Sequence, residues 1–206
     1  MRLRKHESTW RVNDLNTFLS IVHSRQHDAR IFMVGHSIGG TIAAAYAIFH
    51  QDDFDGLILS GATLKVGAGV SAGLIIAARV LSLLLPKAGL YVIDATAVSR
   101  DKGVVSAYVS DPLVYRGKIR ARLGIELIKA METLQRQMPK ICLPILVLHG
   151  TADQLSDPEG SKILYARVSS YKIKNQKLKI LHFNLLFTVV EAWLATRVKL
   201  DQANHG

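Results

Sequence analysis

Gly35-His36-Ser37-Ile38-Gly39-Gly40 is the stretch whose residue types and spacing could carry out covalent chemistry. It fits G-x-S-x-G, the pattern that lifts a serine hydroxyl onto a sharp strand-to-helix turn. The chemistry would be attack on an acyl carbon, with the serine activated by a base and the base oriented by a carboxylate. So tight a turn is expected to leave no room for side chains at Gly35 and Gly39. The amide of Ile38, at the start of the following helix, is placed to donate to an oxyanion. The plainer reading is a Gly-rich turn with no chemistry. The apolar run before the motif and the small residues from Thr41 to Ala47 after it favour the catalytic one.

With this turn, the chain order is serine, acid, histidine. Asp153 is the acid candidate: it ends His149-Gly150-Thr151-Ala152-Asp153, just past an apolar run, where an α/β sheet presents functional groups. Asp157 competes, but it precedes Pro158 and suits a helix cap. His182 follows the last expected strand and is the base candidate by elimination. His205 lies in the tail, where disorder is usual, and His36 sits inside the turn beside Ser37. His50 ends a helix. His149 ends a strand, where a satisfied core histidine is the simpler reading.

The elements that must position these groups alternate. Val12, Leu15, Phe18, Leu19 and Val22 recur at helical spacing. Short apolar runs at Ile31 to Val34, Gly56 to Ser60, Pro144 to His149 and Lys177 to Leu181 read as strands. Helices are expected at Glu159 to Val168 and Leu185 to Leu200. Strands alternating with helices imply an α/β fold, a parallel sheet covered on both faces. Ala62 to Lys140 breaks the alternation. It has no clear strand pattern but contains the apolar helical run Leu74 to Leu85. It also contains Lys118 to Met138, with Ile125, Ile128, Met131 and Leu134 at helical spacing. The division is a core segment over 1–61, a helical insertion over 62–140 and a second core segment over 141–206.

Of the 206 residues, 49% are hydrophobic and 20% charged, which excludes a disordered chain. The single cysteine, Cys142, excludes a disulfide framework and a cysteine-based zinc cluster; it is expected to open a buried strand and to be part of the core. Val66 to Pro86 approaches a membrane span, but Arg79 interrupts it. No signal peptide is visible, so a cytoplasmic, reducing compartment is expected. The net charge is +10, and residues 62–140 hold twelve basic against five acidic side chains. A solvated basic face, an anionic membrane surface and nucleic acid all fit such a balance. No finger or aromatic RNA platform accompanies it, so no nucleic-acid partner is expected.

Further stretches complete a pattern: Phe54-Asp55-Gly56-Leu57-Ile58-Leu59-Ser60, Leu84-Leu85-Pro86-Lys87, Ser99-Arg100-Asp101, Asp111-Pro112-Leu113-Val114-Tyr115-Arg116-Gly117 and Pro144 to Asp153. With the serine motif, they resemble monoacylglycerol lipases of the α/β-hydrolase superfamily, from about Trp10 to Lys179 and again from Val190 to Arg197. The resemblance implies Ser37 as nucleophile, Asp153 as acid and ester lipid substrates; nothing in the sequence suggests a cofactor or metal. The resemblance also implies that the insertion is a cap over the acyl tunnel that makes peripheral contact with membranes. Two departures stand out. The chain starts after the family's first strands and their His-Gly loop, the source of a second oxyanion amide. Around His182, Leu178-Lys179-Ile180-Leu181 runs straight into the histidine without the family's Gly-containing loop. A weak or inactive lipid-binding form is therefore the alternative. The strand at Ile31 to Val34 is expected to lack a neighbour, which predicts a chain that is poorly stable, self-associating or dependent on a partner.

Overall fold

The computed structural model describes residues 12–67, 70–169, 190 and 193–195. Three strands, β1 (Phe32–His36), β2 (Gly56–Ser60) and β5 (Ile145–Leu148), form a parallel sheet in the order β1-β2-β5. Phe32 pairs with Gly56, His36 with Ser60, and Leu57 with Ile145. β2 and β5 are continuous apolar runs, as strands covered on both faces must be. β1 alternates instead: Met33 is buried and Val34 is exposed. Among the described residues, no strand pairs with the far side of β1. Because all three strands are parallel, His36, Ser60 and Leu148 end at the same edge. The segments that follow them, which include Ser37, Thr63 and Asp153, leave the sheet together.

Helix α1 (Val12–Arg25) packs on α2 (Ile38–His50), and α2 packs on β1 and β2. Around them lies the main core, with Tyr46, Leu57, Leu59, Leu64, Leu134, Met138, Ile141 and Leu164 buried. The other face of the sheet buries Ile58, Leu146 and Leu148 against Trp193, which meets Phe32 edge-on at 5.6 Å. Val190 and residues 193–195 are helical, so helices flank both faces, as expected. α6 (Pro158–Arg167) follows β5. The expected strand at Lys177 to Leu181, and most of the expected last helix, lie outside the described residues.

Between β2 and β5 run α3 (Ala72–Leu84), β3 (Gly89–Tyr91), α4 (Lys102–Ser110), β4 (Ile119–Arg120) and α5 (Ala121–Gln137). α3 packs on α5, and α5 on α2. Ser71 and Asp101 cap α3 and α4 by accepting bonds from first-turn amides. The antiparallel pair β3–β4 corrects the expectation of an insertion without strands. Strands of two and three residues are too short to show a period. The apolar stretch around Leu74 to Leu85 becomes a 13-residue helix, ~20 Å long at 1.5 Å per residue, against a bilayer core of ~30 Å. No described helix is long and apolar enough to cross a membrane. Cys142 is also corrected: it is exposed, on the segment before β5, with its amide bonded to Gln51. Pro144 delays the strand until Ile145.

Candidate active site

One residue separates β1 from α2, and it is Ser37. Its φ of 51° and ψ of −122° make it the only described non-glycine residue with positive φ, a strain of about 1–3 kcal/mol that the surroundings must hold. Backbone bonds hold it on three sides. The Ser37 amide donates to the Ser60 carbonyl at 3.1 Å, and the Ser37 carbonyl accepts from the amides of Gly40 and Thr63, each at 3.0 Å. The turn closes only because glycines let backbones meet. A Cβ on Gly35 would sit 2.7 Å from the Gly39 carbonyl oxygen and the Gly40 Cα, and one on Gly40 would sit 2.5 Å from the Ala62 Cβ. Gly39 itself faces open space. The clash expected there falls one residue later, on the side of α2 that meets the segment after β2.

The Ser37 hydroxyl does not cap α2. It bonds the Thr63 hydroxyl at 3.3 Å, and Thr63 Oγ1 lies 2.9 Å from the Ser156 hydroxyl. Ile38 opens α2, so its amide is one of the first-turn donors that have no partner within the helix. The dipole of that helix end favours a negative charge beside it.

The acid segment follows β5. Asp153 Oδ1 accepts from the amides of Leu155 and Ser156, both at 2.9 Å. Its Oδ2 lies 3.4 Å from His149 Nε2. His149 is buried, with Nε2 at 3.0 Å from the Ser156 carbonyl and Nδ1 at 2.7 Å from the Ser161 hydroxyl. A carbonyl only accepts, so Nε2 carries the proton and Ser161 donates to Nδ1. His149 is thus a satisfied core histidine that braces the acid segment. Asp153 and His36 flank the turn at Gly61: a Cβ there would lie 3.4 Å from Asp153 Oδ2 and 3.7 Å from His36 Cε1.

Asp157 is committed elsewhere. It accepts from the Glu159 amide at the start of α6 and pairs with Lys65 Nζ at 2.8 Å. The Lys65 ammonium holds its carboxyl below the usual carboxylate range. His50 stacks on Tyr46 with ring centres 4.5 Å apart, on the core side of α2. His182 and His205 lie outside the described residues. The structure thus brings together the turn bearing Ser37 and, through Thr63 and Ser156, the segment bearing Asp153. Thr63 and Ser156 escaped sequence reasoning, since two hydroxyls on separate loops have no spacing that announces them.

A cavity of about 210 Å³ opens beside Ser37. Its walls are apolar and come largely from the insertion, with Leu74, Ile75, Ile128 and Met131 among them. Ser37, Thr63, Gln154 and Ser156 supply polar groups at its lining.

The profile of a family described as serine aminopeptidase S33, Hydrolase_4, matches residues 4–182. The monoglyceride lipase of Homo sapiens is 33% identical over 204 residues, covering 90% of this chain and 67% of the relative. The monoacylglycerol lipase of Mycolicibacterium smegmatis is 35% identical over 159 residues, covering 77% of this chain and 57% of the relative. The crystal structure of Paleococcus ferrophilus monoacylglycerol lipase superposes with a TM-score of 0.70 at 27% identity, covering 78% of this chain and 60% of that one. A soluble variant of Saccharomyces cerevisiae monoglyceride lipase, at 23% identity, shares the fold with a TM-score of 0.76, over 90% of this chain and 69% of that one. The chain thus spans from under three fifths to about two thirds of these relatives.

Proposed function

The chain belongs to the serine aminopeptidase S33 family of α/β-hydrolases, and on that premise we propose that it cleaves carboxylic esters of lipids, monoacylglycerols foremost. The observation that carries this reading is the strained Ser37, held at the mouth of an apolar cavity. In the proposed reaction, Ser37 Oγ attacks the ester carbonyl carbon while its proton passes to His182. Asp153 orients the imidazolium, and the Ile38 amide holds the oxyanion. Collapse expels the alcohol, which takes that proton. Water then attacks the acyl-enzyme with the same base, and the fatty acid leaves. Lipase names among the relatives and the apolar walls of the cavity support a lipid acyl group. Residues 62–140 act as a cap over that acyl group, between core segments 1–61 and 141–206. Labelling by a fluorophosphonate probe tests the reading: wild type reacts and Ser37→Ala does not. Folded wild type that stays unlabelled would instead favour the inactive alternative, a lipid-binding or non-functional form.

Two associations accompany this reading. The outward side of the cap carries exposed Ile76, Val80, Leu83, Leu84 and Leu85, with Arg79 on the same helix and Lys87 just beyond it. This composition suits peripheral contact with an anionic membrane. The side of β1 that no described strand pairs with, where Val34 is exposed, suits self-association. Sizing chromatography tests the latter; a sharp monomer at every concentration would remove it.

A further inference from the structure

Ser37 reaches the acid segment by a route that involves no histidine. Its hydroxyl meets Thr63 Oγ1 at 3.3 Å, Thr63 meets Ser156 Oγ at 2.9 Å, and the Ser156 amide donates to Asp153 Oδ1 at 2.9 Å. Every backbone along this route is pinned. The Thr63 amide donates to the Ser37 carbonyl, and its own carbonyl accepts from Thr41 Oγ1 at 2.5 Å. The Ser156 carbonyl accepts from His149 Nε2. Ser156 is buried, where a hydroxyl without a partner would be costly.

We propose that Thr63 and Ser156 form a two-hydroxyl relay that positions the Ser37 hydroxyl for proton transfer; this rests on the reading of Ser37 as nucleophile. The relay has a direction. Thr63 owns one proton and can donate to only one neighbour. When Ser156 donates to Thr63 and Thr63 donates to Ser37, the Ser37 proton is left over and points to the base. In the reverse direction Ser37 spends its proton on Thr63 and cannot deliver it. The forward direction is therefore the reactive one. No proton leaves the relay during the reaction: Thr63 and Ser156 keep theirs, and the Ser37 proton goes to the base as the Oγ–carbon bond forms. Thr63 and Ser156 act through Ser37, as positioning residues.

The test compares wild type, Thr63→Val, Thr63→Ser, Ser156→Ala and the double variant Thr63→Val/Ser156→Ala. Fluorophosphonate labelling rates and p-nitrophenyl butyrate kinetics are read, after a thermal melt establishes folding. Losing one neutral hydrogen bond at the nucleophile predicts a labelling rate about five- to tenfold lower in Thr63→Val, with kcat reduced and KM little changed. Thr63→Ser keeps the wild-type rate, because it retains the hydroxyl and loses only the methyl. Ser156→Ala costs less on its own and nothing further in the Thr63→Val background, since the relay is already cut. Labelled wild type with unchanged Thr63→Val, or strictly additive losses in the double variant, overturns the relay and leaves the nucleophile reading standing. Folded wild type that never labels overturns both. If Thr63→Val does not fold, Ser156→Ala against wild type still decides: an unchanged labelling rate overturns the relay.

Discussion

Two helices of this chain have the same length and nearly the same apolar character, yet opposite fates. α2 and α3 each run 13 residues. α2 buries seven of them, from Gly40 to Ile48, between the sheet, α1 and α5. α3 buries only Ala78 and Ser82, and turns Ile76, Val80, Leu83 and Leu84 outward. Composition therefore does not decide burial; the surface available to pack against does. α2 carries small residues that let it lie flat on two strands, and its position fixes the turn at Ser37. α3 keeps bulky side chains on the side that meets nothing else in the described chain, where they remain exposed.

Matched substitutions put that contrast to the test. Ile48 is 7% exposed and Ile76 is 62% exposed. Ile48→Ala is expected to cost about 2–4 kcal/mol in urea unfolding, as core truncations do. Ile76→Ala, on an open surface, should cost under ~1 kcal/mol. Equal losses would mean that α3 is covered in solution. The glycines give a second pair. Gly40→Ala forces a Cβ against Ala62 at 2.5 Å, while Gly73→Ala meets only the Ser71 hydroxyl at 3.9 Å. The first should lose about 1–3 kcal/mol, and the second should be neutral or gain up to ~1 kcal/mol from helix propensity. Leu83→Ser/Leu84→Ser should move the unfolding midpoint by less than ~0.5 kcal/mol. In flotation with anionic phosphatidylserine vesicles, however, the same variant should lose most of its binding. Unchanged flotation would remove α3 as the docking helix.

The smallest effect concerns the ion pair between the root of the insertion and the core. Lys65 holds the Asp157 carboxyl below its ordinary value. Such a group stabilises the fold above its unfolded value of ~3.9, and that stability fades as pH falls through the lower folded value. Asp157→Asn should therefore lower stability slightly at neutral pH, where the contribution is fully present, and flatten that part of the acid unfolding curve, so that the two proteins converge at low pH.

The strand Gly56 to Ser60 was legible at both ends, because a run buried on both faces is apolar throughout. The serine turn was legible because the motif, the strand before it and the small residues after it agree. The capping role of Asp157 followed from its place before Pro158. The β3–β4 pair was not legible, since two and three residues show no period. Thr63 and Ser156 were hidden for a different reason: their meeting depends on two parallel strands ending at the same edge, which is a property of register and not of local composition. The difference between Gly39 and Gly40 turned on which side of a helix meets Ala62, about 100° of rotation per residue. Cys142 was misread because Pro144 shifts the strand start by three residues.

The sheet's connectivity also has a temporal side. β1 and β2 form a unit close in sequence, whereas roughly 85 residues separate Ser60 from its partner segment in β5, a long loop to close. During synthesis at about 5–20 residues per second, β1 and β2 emerge several seconds before β5 exists. In that interval Leu57 and Leu59 have one neighbouring strand, and the apolar insertion is already being made beside them. Slowing or pausing translation within the insertion should therefore change the yield of folded protein more than a pause after β5, a dependence that the finished structure records only as strand order.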